Sequence, residues 1–125
     1  MHLHTDECSY CKMVVSDMQF ASQMVSKKGK PSVFDSIECM AAYSHQHPDV
    51  AVNAKHYVPD YTRQNQWLPV ENAHIYYSEN IQSPMGLSLF ALPDQESMPS
   101  AITDANEMNW EQAKNYVVEK WDITQ

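Results

Sequence analysis

The spacing of apolar positions changes several times along the chain, and each change marks an element. Between Met18 and Val25 apolar and polar residues mix in a strand-like way, with Met18, Phe20 and Met24 on one parity. Lys27-Lys28-Gly29-Lys30-Pro31 supplies a turn and Val33-Phe34 a returning strand, so the pattern predicts a hairpin. Asp35 followed by Glu38 resembles a capping box, and Ile37, Met40, Ala41 and Ser44 share one face at helical spacing. A helix over roughly 36–47 is predicted, stopped by Pro48. Ala51 to Tyr61 is a second strand candidate centred on His56-Tyr57-Val58, with Pro59 marking an edge or an end. Trp67 to Tyr77 is a third. A loop then leads to the turn Pro84-Met85-Gly86, and Leu87 to Leu92 has strand character. Residues 93–108 hold Pro93, Pro99 and scattered acids, and a short helix is expected near 101–105. Trp110, Ala113, Val117 and Trp121 fall at helical spacing behind a capping Asn109, which predicts a helix over about 110–121.

The order is hairpin, helix, strands, hairpin, helix. It argues for an α+β fold with helices packed on antiparallel sheets. Two loosely related strand-strand-helix halves, about 13–61 and 62–125, are expected within one domain, behind a polar lead-in over 1–12 expected to be mobile. In 125 residues, 43% are hydrophobic, including seven Tyr, three Trp and three Phe, which is enough for one core.

Charge narrows the function. The net charge is −8, and only Lys27, Lys28 and Lys30 are grouped, which argues against nucleic-acid binding and against electrostatic membrane binding. An acidic surface suits a cationic cargo, though it is also the ordinary solvated face of a soluble protein. No run approaches a membrane helix, and no apolar stretch precedes Cys8, so the sequence fits either an intracellular protein or one whose export signal has been trimmed. Three cysteines is an odd count and does not suggest a disulfide framework.

The chemistry concentrates in sulfur. Cys8-Ser9-Tyr10-Cys11-Lys12-Met13 brings two thiols and a thioether together, Cys39-Met40 is a second cluster, and Ser83-Pro84-Met85-Gly86 a third. Thiolate and thioether ligands select monovalent copper over harder ions. Alone, Cys8-x-x-Cys11 is open to redox, zinc and soft-metal readings. A thioredoxin-type pair wants a helix N-terminus in a βαβ frame, whereas here the following sequence is strand-like. A zinc site wants a second pair, but Cys39 has no partner cysteine and His45-Gln46-His47 lacks the usual spacing. Met13 lies two residues beyond Cys11, on the same side of an extended chain, so both could grip one ion; core packing is the alternative. Met85, in a tight turn, is either a ligand on a rigid loop or a side chain folded onto the sheet. Cys39 and Met40 read more strongly as buried core. His56 and His74 sit in strand regions, where a lone histidine is more often structural than a ligand. His2 and His4 could bind metal loosely.

The run Glu7-Cys8-Ser9-Tyr10-Cys11-Lys12-Met13-Val14-Val15-Ser16-Asp17 resembles the start of the NosL family of nitrous-oxide-reductase accessory proteins. The resemblance continues through Phe20-Ala21-Ser22-Gln23, Lys28-Gly29-Lys30 and Phe34-Asp35-Ser36-Ile37-Glu38-Cys39-Met40. It resumes at Val58-Pro59-Asp60-Tyr61, Trp67, Ala73, Tyr76-Tyr77 and Ser83-Pro84-Met85-Gly86, and is weakest over the irregular 93–108. It implies a periplasmic, usually lipid-anchored copper(I) chaperone that works with an ABC-type transport complex and supplies the copper–sulfide centre of nitrous oxide reductase. It also implies an α+β fold of two related halves, similar in topology to part of organomercurial lyase. Carried onto this chain, the family's motif residues are Cys8, Cys11, Met13 and Met85.

The resulting expectation is a Cu(I)-binding accessory protein that is not an enzyme. Cys11 thiolate and the Met13 and Met85 thioethers hold the ion, with Cys8 or His74 completing the set. The expected partner is a copper-receiving apo-enzyme or a transport complex, and any membrane contact is through a lipid anchor outside this chain. The alternative is a thiol–disulfide oxidoreductase using Cys8 and Cys11. An organomercury-cleaving enzyme is suggested by fold analogy alone.

Overall fold

The computed structural model describes residues 6–17, 19–63, 66–79, 81, 83, 86–94, 98–100 and 102–121. Strands β1 (Ser22–Val25) and β2 (Pro31–Phe34) form the expected hairpin, with Ser22 opposite Phe34 and Val25 opposite Pro31. Gly29 closes the turn at φ 86°, a left-handed conformation that costs glycine little. Helix α1 (Ile37–Gln46) and the short α2 (Pro48–Val52) follow, then β3 (Lys55–Pro59) on the free side of β1 and β4 (Trp67–Pro69) on β3. This first sheet has the order β2-β1-β3-β4, and because β4 pairs with β3 it extends to Pro69. A 3-10 turn over Val70–Asn72 leads into the second sheet. There β5 (His74–Tyr77) is flanked by β6 (Leu89–Leu92) and β7 (Asn106–Met108), in the order β6-β5-β7, all antiparallel. Helix α3 (Trp110–Trp121) ends the described chain.

Two local expectations give way to packing. The α1 cap is Ser36, not Asp35: the Ser36 hydroxyl accepts the Cys39 backbone N–H at 3.1 Å. Both residue types cap well, so the choice falls to tertiary context. Helix α1 ends at Gln46, before Pro48 as expected, and Pro48 also opens α2, where its missing N–H would have been unpaired anyway. The helix expected near 101–105 is not found among the described residues there. The chain instead extends into β7, whose backbone covers the edge of β5 that β6 leaves open.

Helix α3 does start as expected. The Asn109 side chain accepts the Gln112 N–H at 2.8 Å and the Gln112 side chain accepts the Asn109 N–H at 2.9 Å, a reciprocal cap. Ala113 and Val117 point inward. They join Ile37, Met40 and Ala41 of α1, Met24, Phe34 and Val58 of the first sheet, and Ile75, Leu89 and Ala91 of the second, in one core. A smaller cluster of Phe20, Tyr76, Ile81, Phe90 and Leu92 extends it. Helix α1 is central, packing on β1, β2, β6 and α3. No helix among the described residues is long and apolar enough to cross a membrane.

The polar lead-in is tied down from Asp6 onward. Val15 N–H donates to Asp6 C=O at 2.8 Å, Cys8 N–H to Met13 C=O at 2.8 Å, and Ser9 N–H to Val33 C=O at 2.8 Å. Tyr10 stacks on Trp121 at 5.9 Å and 11°, so the end of α3 covers the same loop.

Candidate metal centre

The Cys8–Lys12 segment is a tight turn. Lys12 N–H donates to Cys8 C=O at 3.0 Å, and Lys12 has φ 69°. The turn bends the backbone, so the alternation expected to put Cys11 and Met13 on one side does not apply. Cys11 is half-buried, whereas Met13 is 58% exposed. Ser9 docks the turn on β2 at Val33, immediately before Phe34, Asp35 and the start of α1. That junction places Asp35 and Cys39 beside the turn.

One donor atom from each of Cys8, Cys11, Asp35 and Cys39 lies within 4.8 Å of the other three. All three cysteines are free thiols. Cys8 and Cys39 are fully buried and Asp35 nearly so, which leaves Cys11 as the most accessible member. Sequence reasoning assigned Cys39 to the core and Asp35 to a cap. The signal that could have found them is Ser36-x-x-Cys39: once Ser36 caps, Asp35 is released and Cys39 sits at the third helical position.

The protons are unevenly shared. Cys39 Sγ lies 3.2 Å from Asp35 Oδ1 and also hydrogen-bonds Cys8, so two acceptors compete for one thiol proton. The Cys39 hydrogen bond, aided by backbone N–H groups of Cys11, Asp35 and Tyr10, outweighs burial and brings the Cys8 thiol down to about 6. The same bond and burial push Cys39 up. Burial, with negative charge on Cys8 and Asp35, pushes Cys11 up to about 11, against a hydrogen bond from the Met13 backbone. Cys8 is thus the natural first thiolate, and a cation would release the remaining protons.

The other anticipated residues lie elsewhere. His74, on β5, is outside the cysteine group; its Nδ1 is 2.8 Å from Glu107 Oε2 on β7. His56 is buried with Nε2 3.2 Å from the Ser44 hydroxyl, and burial holds its pKa below the usual histidine value. It borders a cavity of about 370 Å³ with Trp110 and Lys114. Met85, like His2 and His4, lies outside the described residues. Near it, Gly86 and Ser83 are described: Gly86, at φ 83°, donates its N–H to Ser83 C=O at 3.0 Å. Ser83 is in turn bound to Glu38, whose carboxyl burial pushes up to about 7 despite hydrogen bonds from the Ser83 hydroxyl and the Leu89 and Leu87 backbones.

The family model described as NosL matches residues 2–118. Among solved structures, the fold is similar to that of the copper chaperone NosL from Shewanella denitrificans, with a TM-score of 0.62 at 15% identity, over 93% of this chain and 81% of that one. No curated protein matches the sequence.

Proposed function

The chain belongs to the NosL family, and on that footing we propose that it is a copper(I) metallochaperone rather than an enzyme. The observation that carries this reading is the gathering of Cys8, Cys11 and Cys39 around one point. Soft thiolates hold Cu(I) against water at low coordination number. Two of the three sulfurs are buried and one is accessible, an arrangement that retains an ion yet leaves a side from which another protein's ligands can enter. Met13 follows Cys11 by two residues and is exposed; Met85 follows the anchored Ser83. Both thioethers are proposed to complete the coordination during loading or release. His74 is left out of the set, because it is engaged with Glu107 on the second sheet. The solved relative's designation as a copper chaperone supports the reading. The proposed recipient is an apo-copper enzyme such as nitrous oxide reductase, reached with an ABC-type transport complex in the periplasm, with a lipid anchor on the native precursor.

Competition for Cu(I) against a chromophoric chelator under reducing conditions tests this. Cys11→Ser is expected to lose most Cu(I) retention; unchanged retention would remove Cys11 from the site. A second reading has one observation in its favour, the acidic Cys8 thiol beside Cys11, which suits thiol–disulfide exchange. The pair sits on a turn enclosed by an isolated bridge, Glu7 to Val14, not at a helix start. Insulin reduction by metal-free protein would favour that reading over copper.

A further inference from the structure

We propose that Glu38 is a positioning residue that couples the sulfur cluster to the Gly86–Leu89 segment, so that an ion held at Cys8, Cys11 and Cys39 is felt there. The proposal rests on the copper reading above, and it concerns a residue that reading does not use. Glu38 is fully buried and immediately precedes Cys39. Successive helix positions point in different directions. The first turn of α1 therefore offers Cys39 to the sulfurs and Glu38 to the second sheet. There Glu38 Oε2 accepts the Ser83 hydroxyl at 2.6 Å and Oε1 accepts the Leu89 N–H at 3.3 Å. The Ser83 oxygen also accepts the Ser88 N–H at 3.0 Å. One carboxyl thus binds the segment at Leu89 directly and at Ser88 through Ser83. Helix α3 holds its middle, through the Tyr116 hydroxyl on Leu87 C=O at 3.1 Å.

Two features argue against simple packing. A buried carboxyl group is an expensive core residue that an apolar side chain would replace at lower cost. The segment also holds Ser88 at φ 66°, a left-handed conformation that a non-glycine residue keeps only where surrounding bonds over-determine it. An ion that draws Cys39 towards Cys8 and Cys11 moves the first turn of α1, and Glu38 moves with it. By reciprocity, loosening the segment weakens the hold on the ion.

Backbone amide NMR of the full chain, with and without Cu(I) under reducing conditions, tests this. In the wild type, Cu(I) is expected to shift Gly86–Leu89 together with Cys8–Cys11. In Glu38→Gln the Gly86–Leu89 response should shrink at least severalfold while the Cys8–Cys11 response persists, and Cu(I) affinity should fall about tenfold, as for other groups that orient metal ligands. Ser83→Ala should reproduce the loss and Ser83→Thr, which keeps the hydroxyl, should restore it; this pair decides the matter if Glu38→Gln does not fold. Wild-type binding without any response at Gly86–Leu89, or an undiminished response and affinity in both Glu38→Gln and Ser83→Ala, overturns the coupling and leaves the copper reading standing. A wild type that does not bind Cu(I) overturns the copper reading, and the coupling with it.

Discussion

Two polar constellations leave the first turn of α1 in different directions, one residue apart, and they are built on opposite terms. Around Cys39, three thiols and the Asp35 carboxylate share protons unevenly, loosely held on Cys8 and tightly on Cys11 and Cys39. Around Glu38, each carboxylate oxygen has a committed donor, Ser83 on one and Leu89 on the other. The first arrangement can exchange its protons for a soft cation. The second gains nothing from change and is suited to holding geometry. A site that must bind and release needs both: exchangeable donors on a frame that does not exchange.

The contrast breaks most visibly at the sulfurs. Cys8→Ser or Cys39→Ser should each cost about three powers of ten in Cu(I) affinity, or about 4 kcal/mol at 1.4 kcal/mol per tenfold, measured by chelator competition. A loss confined to Cys8→Ser would return Cys39 to the core.

The next largest effect concerns pH. Glu38 has a pKa near 7 in the folded protein against a reference of 4.5. The unfolded chain therefore loses its proton first, and stability falls as pH rises from about 4.5 to about 7. The drop attributable to Glu38 is about 3 kcal/mol at most. Denaturant unfolding at both pH values should show that slope in the wild type and not in Glu38→Gln; equal slopes would mean that the carboxyl is better solvated than its burial indicates.

Asp35→Asn sharpens the comparison at smaller scale. It removes the carboxylate beside Cys39 and should lower Cu(I) affinity about tenfold, read by the same competition assay. Smallest of all is His74→Ala. The half-exposed pair with Glu107 contributes under about 1 kcal/mol, and Cu(I) retention should be unchanged. A large loss of retention would bring His74 back as a ligand.

Elements whose cause is local were legible in the sequence. The β1–β2 hairpin follows from its Gly29 turn, and α3 from a helical stripe behind Asn109. The Cys8–Met13 stretch was also visible, because its donors are neighbours in the chain. What could not be read depends on partners far away. Asn106-Glu107-Met108 has little strand character of its own and is a strand because β5 has an open edge. Met13 looked like a companion of Cys11 because an extended chain alternates, and the left-handed Lys12 breaks that alternation. Cys39 looked like core because a buried free cysteine and a buried ligand cysteine carry the same local signal. Only the docking of Ser9 on Val33 separates the two cases. Glu38 offered no hint of Ser83, 45 residues on.

The most direct measurement is a Cu(I) titration of the wild-type chain against a chromophoric chelator under strict reduction, beside a variant with Cys8, Cys11 and Cys39 all changed to Ser. A single Cu(I) ion retained by the wild type and none by the variant is the predicted result. Equal retention by both, or none by the wild type, would contradict the assignment of this cluster as the copper site.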